Sequence, residues 1–334
     1  MNRALCGLLI LCACAGCVRW SPPSMTPVSG RAPCRTESLP WLSPDDPDDR
    51  RRLDAWCLGV GPPAIRAAAP APASQPAGIQ DVTFVTWNVH VGNGDVRAFV
   101  TDLRAGLHTR NRSVGHFVLM LQEAVRTEGV PGLVDAASGA ARISSAGDAA
   151  NDIVRISEDL GLSLIYVPSM RNGRSRGEPA ADRGSAILSS LPLSQPAAVE
   201  VPGERQRRVV IFAKAGSTSV GVIHLDALGA SSRLWVFWTS WMRARQVRAL
   251  NSVLPDGPLV LGADLNTWHG IDERAVRILK TLPESTPVTL DREGFGIRVF
   301  DYLFFRAGAD RRAHYRQIGN RYGSDHRPLI GWIE

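Results

Sequence analysis

Runs of apolar residues separated by polar, Gly- or Pro-containing turns begin near residue 81 and continue to the C-terminus. Short runs rich in β-branched and aromatic residues predict strands, and apolar positions at helical spacing predict helices. The predicted strands are 82–87, 117–121, 163–167, 186–189, 207–214, 219–225, 259–261, 299–305 and 329–333. The predicted helices are 96–107, 151–160, 243–254 and 272–281, and 126–150 is expected to be a loop.

Both consecutive strands and strands separated by helices occur in this part of the chain. The segments 207–214 and 219–225 suggest a hairpin, whereas 117–121 is continuously apolar, which is typical of a strand covered on both faces. This mixture predicts an α/β (α+β) fold in which sheets pack on each other with helices outside.

Residues 18–80 lack this periodicity and are rich in Pro, Ala and charge. The acidic segment 43–50 cannot bury an apolar face, and 62–76 has the composition of an extended, semi-rigid linker. A short helix is expected around 51–57. The sequence therefore predicts a tether over 18–80 and a globular catalytic domain over 81–334.

The N-terminus has the features of an export signal. Arg3 precedes an apolar stretch, 4–16, which is too short to span a bilayer and fits a secretory signal. The stretch ends in Ala-Gly-Cys, which resembles a bacterial lipobox. We therefore expect 1–17 to be a lipoprotein-type signal peptide that leaves an exported protein anchored to the cell envelope membrane by a lipid on Cys17. Cys14 is a second candidate for the lipid, and a plain cleaved signal peptide with a secreted product is the alternative.

Export changes the interpretation of the remaining cysteines. Beyond Cys17 the chain has Cys34 and Cys57 alone. In an oxidising compartment such a pair favours a disulfide, and two free thiols are the alternative. No CxxC pair with zinc spacing is present.

The composition fits one large domain with additional segments: 334 residues, of which 44% are hydrophobic. The net charge is +6, but Lys214 and Lys280 are the only lysines. A bias so strongly towards Arg, together with abundant Ala, Gly and Pro, is typical of genome composition. Charge alone therefore does not establish a nucleic-acid partner.

Polar residues recur at the ends of the apolar strands. They are Asn88, Glu123, His224, Asp264, Asn266, Asp301, Asp325 and His326. Taken singly, each also fits a structural role such as a turn, a helix start or a buried histidine. Buried carboxylates are costly unless they are paired or bind a cation, so several acids at strand ends indicate a hard divalent metal with oxygen ligands.

The order of these motifs resembles the endonuclease/exonuclease/phosphatase superfamily. The motifs are Trp87-Asn88, Gln122-Glu123, His224, Gly262-Ala263-Asp264-Leu265-Asn266, Asp301-Tyr302 and Ser324-Asp325-His326. This superfamily contains pancreatic deoxyribonuclease, abasic-site endonucleases, neutral sphingomyelinases and inositol polyphosphate 5-phosphatases. The resemblance covers 82–334 and implies a four-layer α/β/β/α sandwich of two mixed sheets flanked by helices, with the site at one edge of the sheets.

The resemblance also implies a metal site. Glu123 would be the principal Mg²⁺ ligand, with Asn88 and Asp325 close to the metal and its waters. Mn²⁺ or Ca²⁺ would be alternatives to Mg²⁺. Asp264 matches the residue that orients or deprotonates the attacking water, and Asn266 matches an amide that holds a phosphate oxygen.

Two histidines complete the implied machinery. His326 would contact the scissile phosphate and acts as a base in some accounts of the family, while Asp301 would fix its tautomer. His224 matches a second histidine that protonates the leaving oxygen or binds phosphate. In pancreatic deoxyribonuclease that histidine is paired with a glutamate, and 163–167 contains no such acid. The acid role of His224 therefore stays open.

The implied function is a metal-dependent phosphoesterase that hydrolyses a phosphodiester by attack of metal-activated water. The many arginines, and the lack of an added lipid-binding hairpin, favour nucleic acid over phospholipid as the substrate. The alternatives are a sphingomyelinase-like, phospholipid-headgroup or inositol-phosphate phosphoesterase, and a non-catalytic binding protein on the same fold. No protein partner is indicated.

Two segments offer candidate substrate contacts. The basic segment 171–177 suits either a phosphate-gripping loop or an ordinary solvated loop. The aromatic segment 234–241 suits base stacking or a lipid interface, but core packing against 242–250 is favoured.

Overall fold

Two mixed β-sheets face each other in the computed structural model, and helices cover their outer faces. The structure describes residues 23–28, 32–68, 78–109, 113–132, 141–142, 151–172, 180–227, 235–268, 270–280, 300–308 and 310–334, with the backbone alone for 141–142 and 235–238. The expected signal peptide, 1–17, lies outside these residues, as does most of the basic segment 171–177. No helix of the described part is long and apolar enough to cross a membrane.

The elements are numbered in chain order. The strands are β1 (Met25–Pro27), β2 (Trp41–Pro44), β3 (Ala64–Arg66), β4 (Thr83–Asn88), β5 (Phe117–Arg126), β6 (Ala141–Arg142), β7 (Ser163–Asn172), β8 (Ala181–Ser189), β9 (Leu193–Val201), β10 (Arg208–Ala215), β11 (Thr218–His224), β12 (Leu259–Asp264), β13 (Asp301–Arg306), β14 (Ala313–Gln317) and β15 (Leu329–Ile333). The helices are α1 (Pro47–Cys57), α2 (Val96–Arg104), α3 (Ile153–Leu160), α4 (Trp235–Asn251) and α5 (Arg274–Leu279). Short 3₁₀ turns occupy Ile79–Asp81 and Gly270–Asp272.

The first sheet has the order β1-β2-β9-β10-β11-β12-β13. The second has the order β14-β15-β4-β5-β8-β7-β3, and β6 pairs with β7. Each sheet contains parallel pairs, β11 with β12 in the first and β4 with β5 in the second, among antiparallel ones. The predicted sandwich of two mixed sheets is therefore confirmed.

Three apolar clusters define the four layers. One lies between the sheets and includes Phe84, Met120 and Val260. A second joins the outer face of the second sheet to α2 and α3, with Phe99 and Ile156 among its members. The third joins the outer face of the first sheet to α4 and α5. Alternate residues of each strand thus face two different clusters, which is why the central strands are apolar on both faces.

The sheets approach each other closely near one end. A Cβ atom added to Gly262 of β12 would lie 2.8 Å from the Cβ atom of Met120 and 2.9 Å from that of Thr86, both in the second sheet. Any larger residue would force the sheets apart. Glycine at 262 therefore allows Asp264, two residues later, to reach across to the second sheet.

Most predicted elements are present, with different bounds. β15 has the predicted limits, and β10 and β11 form the expected hairpin. The expected loop 126–150 contains β6 within its described part, and α4 begins at Trp235, inside the aromatic segment. β9 was not predicted because Pro196 argues against a strand. Pro196 is accommodated because the pairing of β9 with β10 is irregular at this point.

The expectation of a tether is wrong for 25–66. β2 pairs with β9 of the first sheet, and β3 pairs with β7 of the second. Helix α1 includes the short helix expected around 51–57, and its Leu53 and Trp56 are buried. The prediction failed because a segment that adds strands to existing sheet edges needs no continuous apolar face of its own. Most of the Pro- and Ala-rich stretch 62–76 lies outside the described residues.

A disulfide closes this N-terminal segment, as the export argument predicted. Cys34 and Cys57 are bonded, with Cα atoms 5.2 Å apart and both side chains buried. Arg207, the residue before β10 of the first sheet, donates a hydrogen bond to the Sγ atom of Cys34 at 3.0 Å. The bridge therefore lies against the sandwich rather than in a separate extension.

Candidate active site

The strands of the first sheet bring three of the predicted residues side by side. β11 and β12 are parallel, and His224 is the register partner of Asp264. β12 and β13 are antiparallel, and Asp264 is the register partner of Asp301. Asn88, the last residue of β4, extends from the second sheet, and its Nδ2 atom donates to the Oδ2 atom of Asp264 at 2.8 Å. The predicted residues thus meet where the two sheets end.

His326 is held on several sides. Its Nδ1 atom lies 2.7 Å from the Oδ2 atom of Asp301. Its backbone N–H donates to Ser324 Oγ at 3.0 Å, and its carbonyl accepts from Trp87 Nε1 at 3.2 Å. Ser324 Oγ in turn donates to the carbonyl of Asn88 at 2.7 Å. The loop before β15 is thereby fastened to the end of β4.

The charge around His326 favours the imidazolium form. Burial by itself lowers the pKa of His326, but the carboxylates of Asp301, Asp264 and Asp325 outweigh burial and raise the pKa to about 11. A protonated imidazole cannot accept a proton. The hydrogen bond to Asp301 and the surrounding carboxylates therefore favour His326 as a positively charged donor to an anion.

Asp264 is buried and its carboxylate is oriented by neighbouring amides. The backbone N–H of Asn266 donates to Oδ1 at 2.9 Å, and Asn88 holds Oδ2. The pKa of Asp264 is raised to about 6, and burial is the main cause. The negative charge of Asp301 also raises this pKa, whereas the positive charge of His326 lowers it. An acid with this pKa is ionised at neutral pH and still basic enough to take a proton.

Asn266 has a left-handed backbone, with a φ of 51°. Its Nδ2 atom donates to the carbonyl of Leu225 at 3.1 Å, which ties the residue to the end of β11. One of the two amide hydrogens is used there, so the other stays available for the phosphate contact that the family pattern implies.

Glu123 occupies an irregularity in β5. The pairing with β8 shifts register between Leu121 and Ala124, and Glu123 has a φ of 57°. Such bulges redirect a side chain. The Oε2 atom of Glu123 accepts from the backbone N–H of Val91 at 3.1 Å and lies 3.6 Å from the NH1 atom of Arg183. The Glu123 carboxylate is 17% exposed and therefore accessible to a small ligand.

Asp325 lies between two imidazoles. Its Oδ1 atom is 3.0 Å from His90 Nδ1 and 3.9 Å from His326 Nε2. His90 was not identified from the sequence, although it follows Asn88 by two residues and its ring could have been flagged as a candidate ligand. Since His90 and Val91 are adjacent, Asp325 and Glu123 face the same turn.

His224 is paired with an arginine instead of an acid. The NH1 atom of Arg208 lies 3.0 Å from His224 Nδ1. Because a guanidinium only donates, Nδ1 must accept and the proton resides on Nε2, which is 3.5 Å from Asp264 Oδ2. Burial is the main cause that lowers the pKa of His224 well below its ordinary value, and the positive charges of Arg208, Arg183 and His326 add to it. A neutral donor at Nε2 fits phosphate binding better than protonation of the leaving group.

The donor set suits a hard divalent cation. Within the described residues, one side-chain oxygen or nitrogen from each of Asp264, Asp301 and His326 lies within 4.8 Å of the others, so the two carboxylates can face a cation while the His326 imidazolium faces an anion. Of the predicted ligands, Asn88 donates to Asp264 and Asp325 lies 3.9 Å from His326. Glu123 contacts the turn at Val91, next to the His90 that contacts Asp325. Carboxylate and amide oxygens are the ligands that Mg²⁺, Mn²⁺ and Ca²⁺ take, so the residues fit such an ion.

Known proteins resemble this chain in sequence pattern and in structure. The sequence pattern of the Endonuclease/Exonuclease/phosphatase family matches residues 85–326. One similar solved structure is an endonuclease/exonuclease/phosphatase family protein from Leptotrichia buccalis, with 13% identity over 76% of this chain and 99% of that chain and a TM-score of 0.49. Another is the human Nocturnin catalytic domain with bound sulfate, with 13% identity over 76% of this chain and 93% of that chain and a TM-score of 0.48. An AP endonuclease from Archaeoglobus fulgidus is also similar, with 13% identity over 75% of this chain and 98% of that chain and a TM-score of 0.44. No match is found among curated protein sequences.

Proposed function

This chain belongs to the endonuclease/exonuclease/phosphatase family, and on that premise we propose that it is a divalent-cation-dependent phosphodiesterase that cleaves nucleic acid. One observation carries the proposal: Asp264, Asp301 and His326 converge within 4.8 Å at the edge of the sandwich. In-line hydrolysis needs a carboxylate that accepts a proton and a positively charged group that binds the phosphate. Asp264 and His326 supply these two groups and are neighbours.

Asp264 would act on the attacking water. Its carboxylate is fixed by Asn88 and by the backbone of Asn266, so the orientation of the carboxylate is set before the reaction begins. As the water oxygen bonds to phosphorus and the ester P–O bond breaks, the proton of the water passes to Asp264. The pKa of Asp264, raised to about 6 mainly by burial, suits this transfer near neutral pH.

His326 and His224 would bind the phosphate. His326 uses Nδ1 for Asp301 and keeps Nε2–H for a phosphate oxygen, with its positive charge opposite the charge that develops in the transition state. His224 presents a neutral Nε2–H because Arg208 occupies the other ring nitrogen.

Glu123, Asn88 and Asp325 would hold the cation. Glu123 is oriented by the backbone of Val91 and Asp325 by His90, so both acids face the same turn. The bound cation would neutralise negative charge on the phosphate and on the leaving oxygen.

Two features support a nucleic-acid substrate. Arg183 and Arg208 lie beside Glu123 and His224, where a cationic choline headgroup would be repelled and a polyanion attracted. The exposed large apolar residues of the described part lie on separate elements, and they are Leu58, Ile65, Leu107 and Ile271. Within the described residues, these four exposed side chains offer little apolar surface for a lipid interface.

The test compares substrates in one assay series. Nicking of supercoiled plasmid is measured beside hydrolysis of sphingomyelin vesicles and of bis-p-nitrophenyl phosphate, each with Mg²⁺, Mn²⁺, Ca²⁺ or a chelator. We expect nicking that requires a divalent cation and stops with the chelator. Faster hydrolysis of sphingomyelin than of plasmid would contradict the substrate assignment, and no cation-dependent hydrolysis of any substrate would favour a binding protein.

We also propose that the protein is exported and anchored through a lipid on Cys17. The buried Cys34–Cys57 disulfide supports export, because such bonds persist in oxidising compartments. Mass spectrometry of the mature N-terminus tests the anchor. A diacylated cysteine at position 17 is expected, and an unmodified N-terminus would contradict it.

A further inference from the structure

The turn that follows β4 has an unusual backbone. His90, Val91 and Gly92 have φ values of 47°, 53° and 75°, so three successive residues are left-handed. Glycine adopts this conformation freely, but a β-branched valine rarely does. Non-glycine residues persist in such conformations where the surrounding structure holds them, and they cluster at functional sites.

The turn gains contacts with all three of the proposed metal ligands. The backbone N–H of His90 donates to Asn88 Oδ1 at 2.9 Å. The next N–H, that of Val91, donates to Glu123 Oε2 at 3.1 Å. The imidazole of His90 lies 3.0 Å from Asp325 Oδ1. The backbone strain therefore coincides with the orientation of three ligands from distant parts of the chain.

The turn also fits closely against the loop that carries Asp325. The backbone N–H of Asp95 donates to the carbonyl of Tyr322 at 2.7 Å. Gly323 is left-handed, and a Cβ atom there would lie 2.8 Å from the carbonyl oxygen of Asn93. The two loops thus pack backbone against backbone, which fixes the position of His90 relative to Asp325.

Asp325 depends on this contact more than the other ligands do. The side chain of Asp325 is 55% exposed, whereas Asn88 and Glu123 each accept a backbone N–H from the turn. The other imidazole near Asp325, that of His326, is farther away at 3.9 Å and is paired with Asp301. His90 is thus the nearer of the two groups that hold the Asp325 carboxylate towards the site.

We propose that His90 is a positioning residue that holds Asp325 in place for the divalent cation and so sets the affinity for that ion. This inference rests on the proposed function, since it concerns the same site. His90 acts through Asp325 and not on the substrate. Its removal should therefore weaken cation binding while leaving the rate at saturating cation largely intact.

Two substitutions separate the imidazole from the backbone. His90→Gly keeps the left-handed turn and removes the imidazole that contacts Asp325. His90→Asn keeps the turn, because asparagine tolerates positive φ, and it places an amide nitrogen where Nδ1 of the imidazole lies. The control is His314→Asn on β14, where an imidazole contacts the Glu334 carboxylate at 3.1 Å.

Binding of Mn²⁺ is measured by titration calorimetry without substrate, alongside the rate of plasmid nicking as a function of Mg²⁺. Loss of an outer contact to a ligand commonly costs tenfold or more in metal affinity, so H90G should raise the Mn²⁺ dissociation constant about tenfold or more. H90N and the control should stay within about threefold of the wild-type value. At saturating Mg²⁺, H90G should retain a rate within about threefold of wild type.

A double variant shows whether the effect passes through Asp325. In an Asp325→Asn background, H90G should cause little further loss of Mn²⁺ affinity, because the carboxylate it positions is already gone. Unchanged affinity in H90G, or the same loss in the D325N background, would overturn the inference. So would a fall in the saturated rate at unchanged affinity, which would indicate contact with substrate. If the wild-type protein binds no Mn²⁺ and hydrolyses nothing, the proposed function fails instead.

Discussion

The Oδ2 atom of Asp301 lies 2.7 Å from the Nδ1 atom of His326, and this pair joins β13 to the loop before β15. The contact leaves Nε2 of His326 free to face a ligand and surrounds the ring with negative charge. An imidazolium held in this way is a fixed positive charge in a largely buried site, where it interacts with a phosphate more strongly than it would in water.

Removing the charge of Asp301 should make hydrolysis sensitive to alkaline pH. The carboxylates raise the pKa of His326 to about 11 against the opposing effect of burial, so the imidazolium is present throughout the neutral range. In Asp301→Asn the hydrogen bond can remain but the main raising charge is lost. The pKa of His326 then falls, and the cation is lost as pH rises through the lower value.

The measurement is the rate of plasmid nicking against pH. The wild-type rate should not decline between about pH 7 and pH 9 on account of His326, whereas that of D301N should fall across this range. Parallel profiles for the two proteins would show that Asp301 does not control the charge of His326.

Replacing Glu123 by glutamine should raise the cation requirement. The substitution keeps the shape of the side chain but removes the charge that attracts the ion. We expect the Mg²⁺ concentration for half-maximal nicking to rise about tenfold or more. Glu158→Gln, which removes an exposed acid paired with Arg66 on the outer surface, is the matched control. Equal Mg²⁺ dependence in both variants would argue against Glu123 as a ligand.

Glu200 should contribute to stability in a pH-dependent way. It is buried between Arg35, at 2.5 Å, and Arg207, at 2.7 Å. Burial alone would raise the pKa of Glu200, but the two guanidinium groups outweigh burial and lower the pKa from its ordinary value of 4.5. Burial lowers the pKa of Arg207, yet a guanidinium stays charged at any pH at which the protein folds.

Because the folded pKa of Glu200 is depressed, its stabilising effect is complete above about pH 4.5 and is lost as pH falls through the folded value. Glu200→Gln should lower the free energy of unfolding at neutral pH by about 3–5 kcal/mol, since the buried Arg207 loses its carboxylate partner and Arg35 keeps only Asp54. The loss should shrink at acidic pH. Urea denaturation of wild type and Glu200→Gln over a pH series measures this loss. A difference in the free energy of unfolding that does not vary with pH would contradict the prediction.

The Cys34–Cys57 disulfide should stabilise the whole sandwich. It closes a loop with a sequence separation of 23 and fastens the segment that adds β1, β2 and β3 to both sheets. On the chain-entropy model the double substitution of both cysteines by alanine should lower the free energy of unfolding by about 3 kcal/mol. Urea denaturation with and without reductant measures it. A reductant effect on the alanine variant, or no difference from wild type, would contradict this role.

The central strands and helices could be predicted because the faces that they bury determine the spacing of apolar residues along the chain. β5 and β12 are apolar because both of their faces are covered, and α2 shows one apolar face. β14 was missed because it is a half-exposed strand with polar residues at alternate positions. β1 to β3 were missed because their stability comes from pairing with distant strands, which local composition does not reveal.

The candidate site could be predicted in part from the order of its motifs. That order identified Asp264, Asp301 and His326, which converge in the structure. It did not identify His90, because the left-handed turn that directs this residue towards Asp325 depends on contacts between distant loops. The arginine beside His224 was also missed, since Arg208 stands at the start of an ordinary apolar strand and its partner follows only after the hairpin.

The most direct test of the account is the initial rate of plasmid nicking by His326→Ala at saturating Mg²⁺, relative to wild type. With the fold verified by circular dichroism, the rate should fall at least about a hundredfold, because the positive donor opposite the phosphate is removed. The matched variant His314→Ala, which removes another imidazole paired with a carboxylate, should keep the wild-type rate. A His326→Ala rate within about twofold of wild type would contradict the claim that this imidazole binds the scissile phosphate.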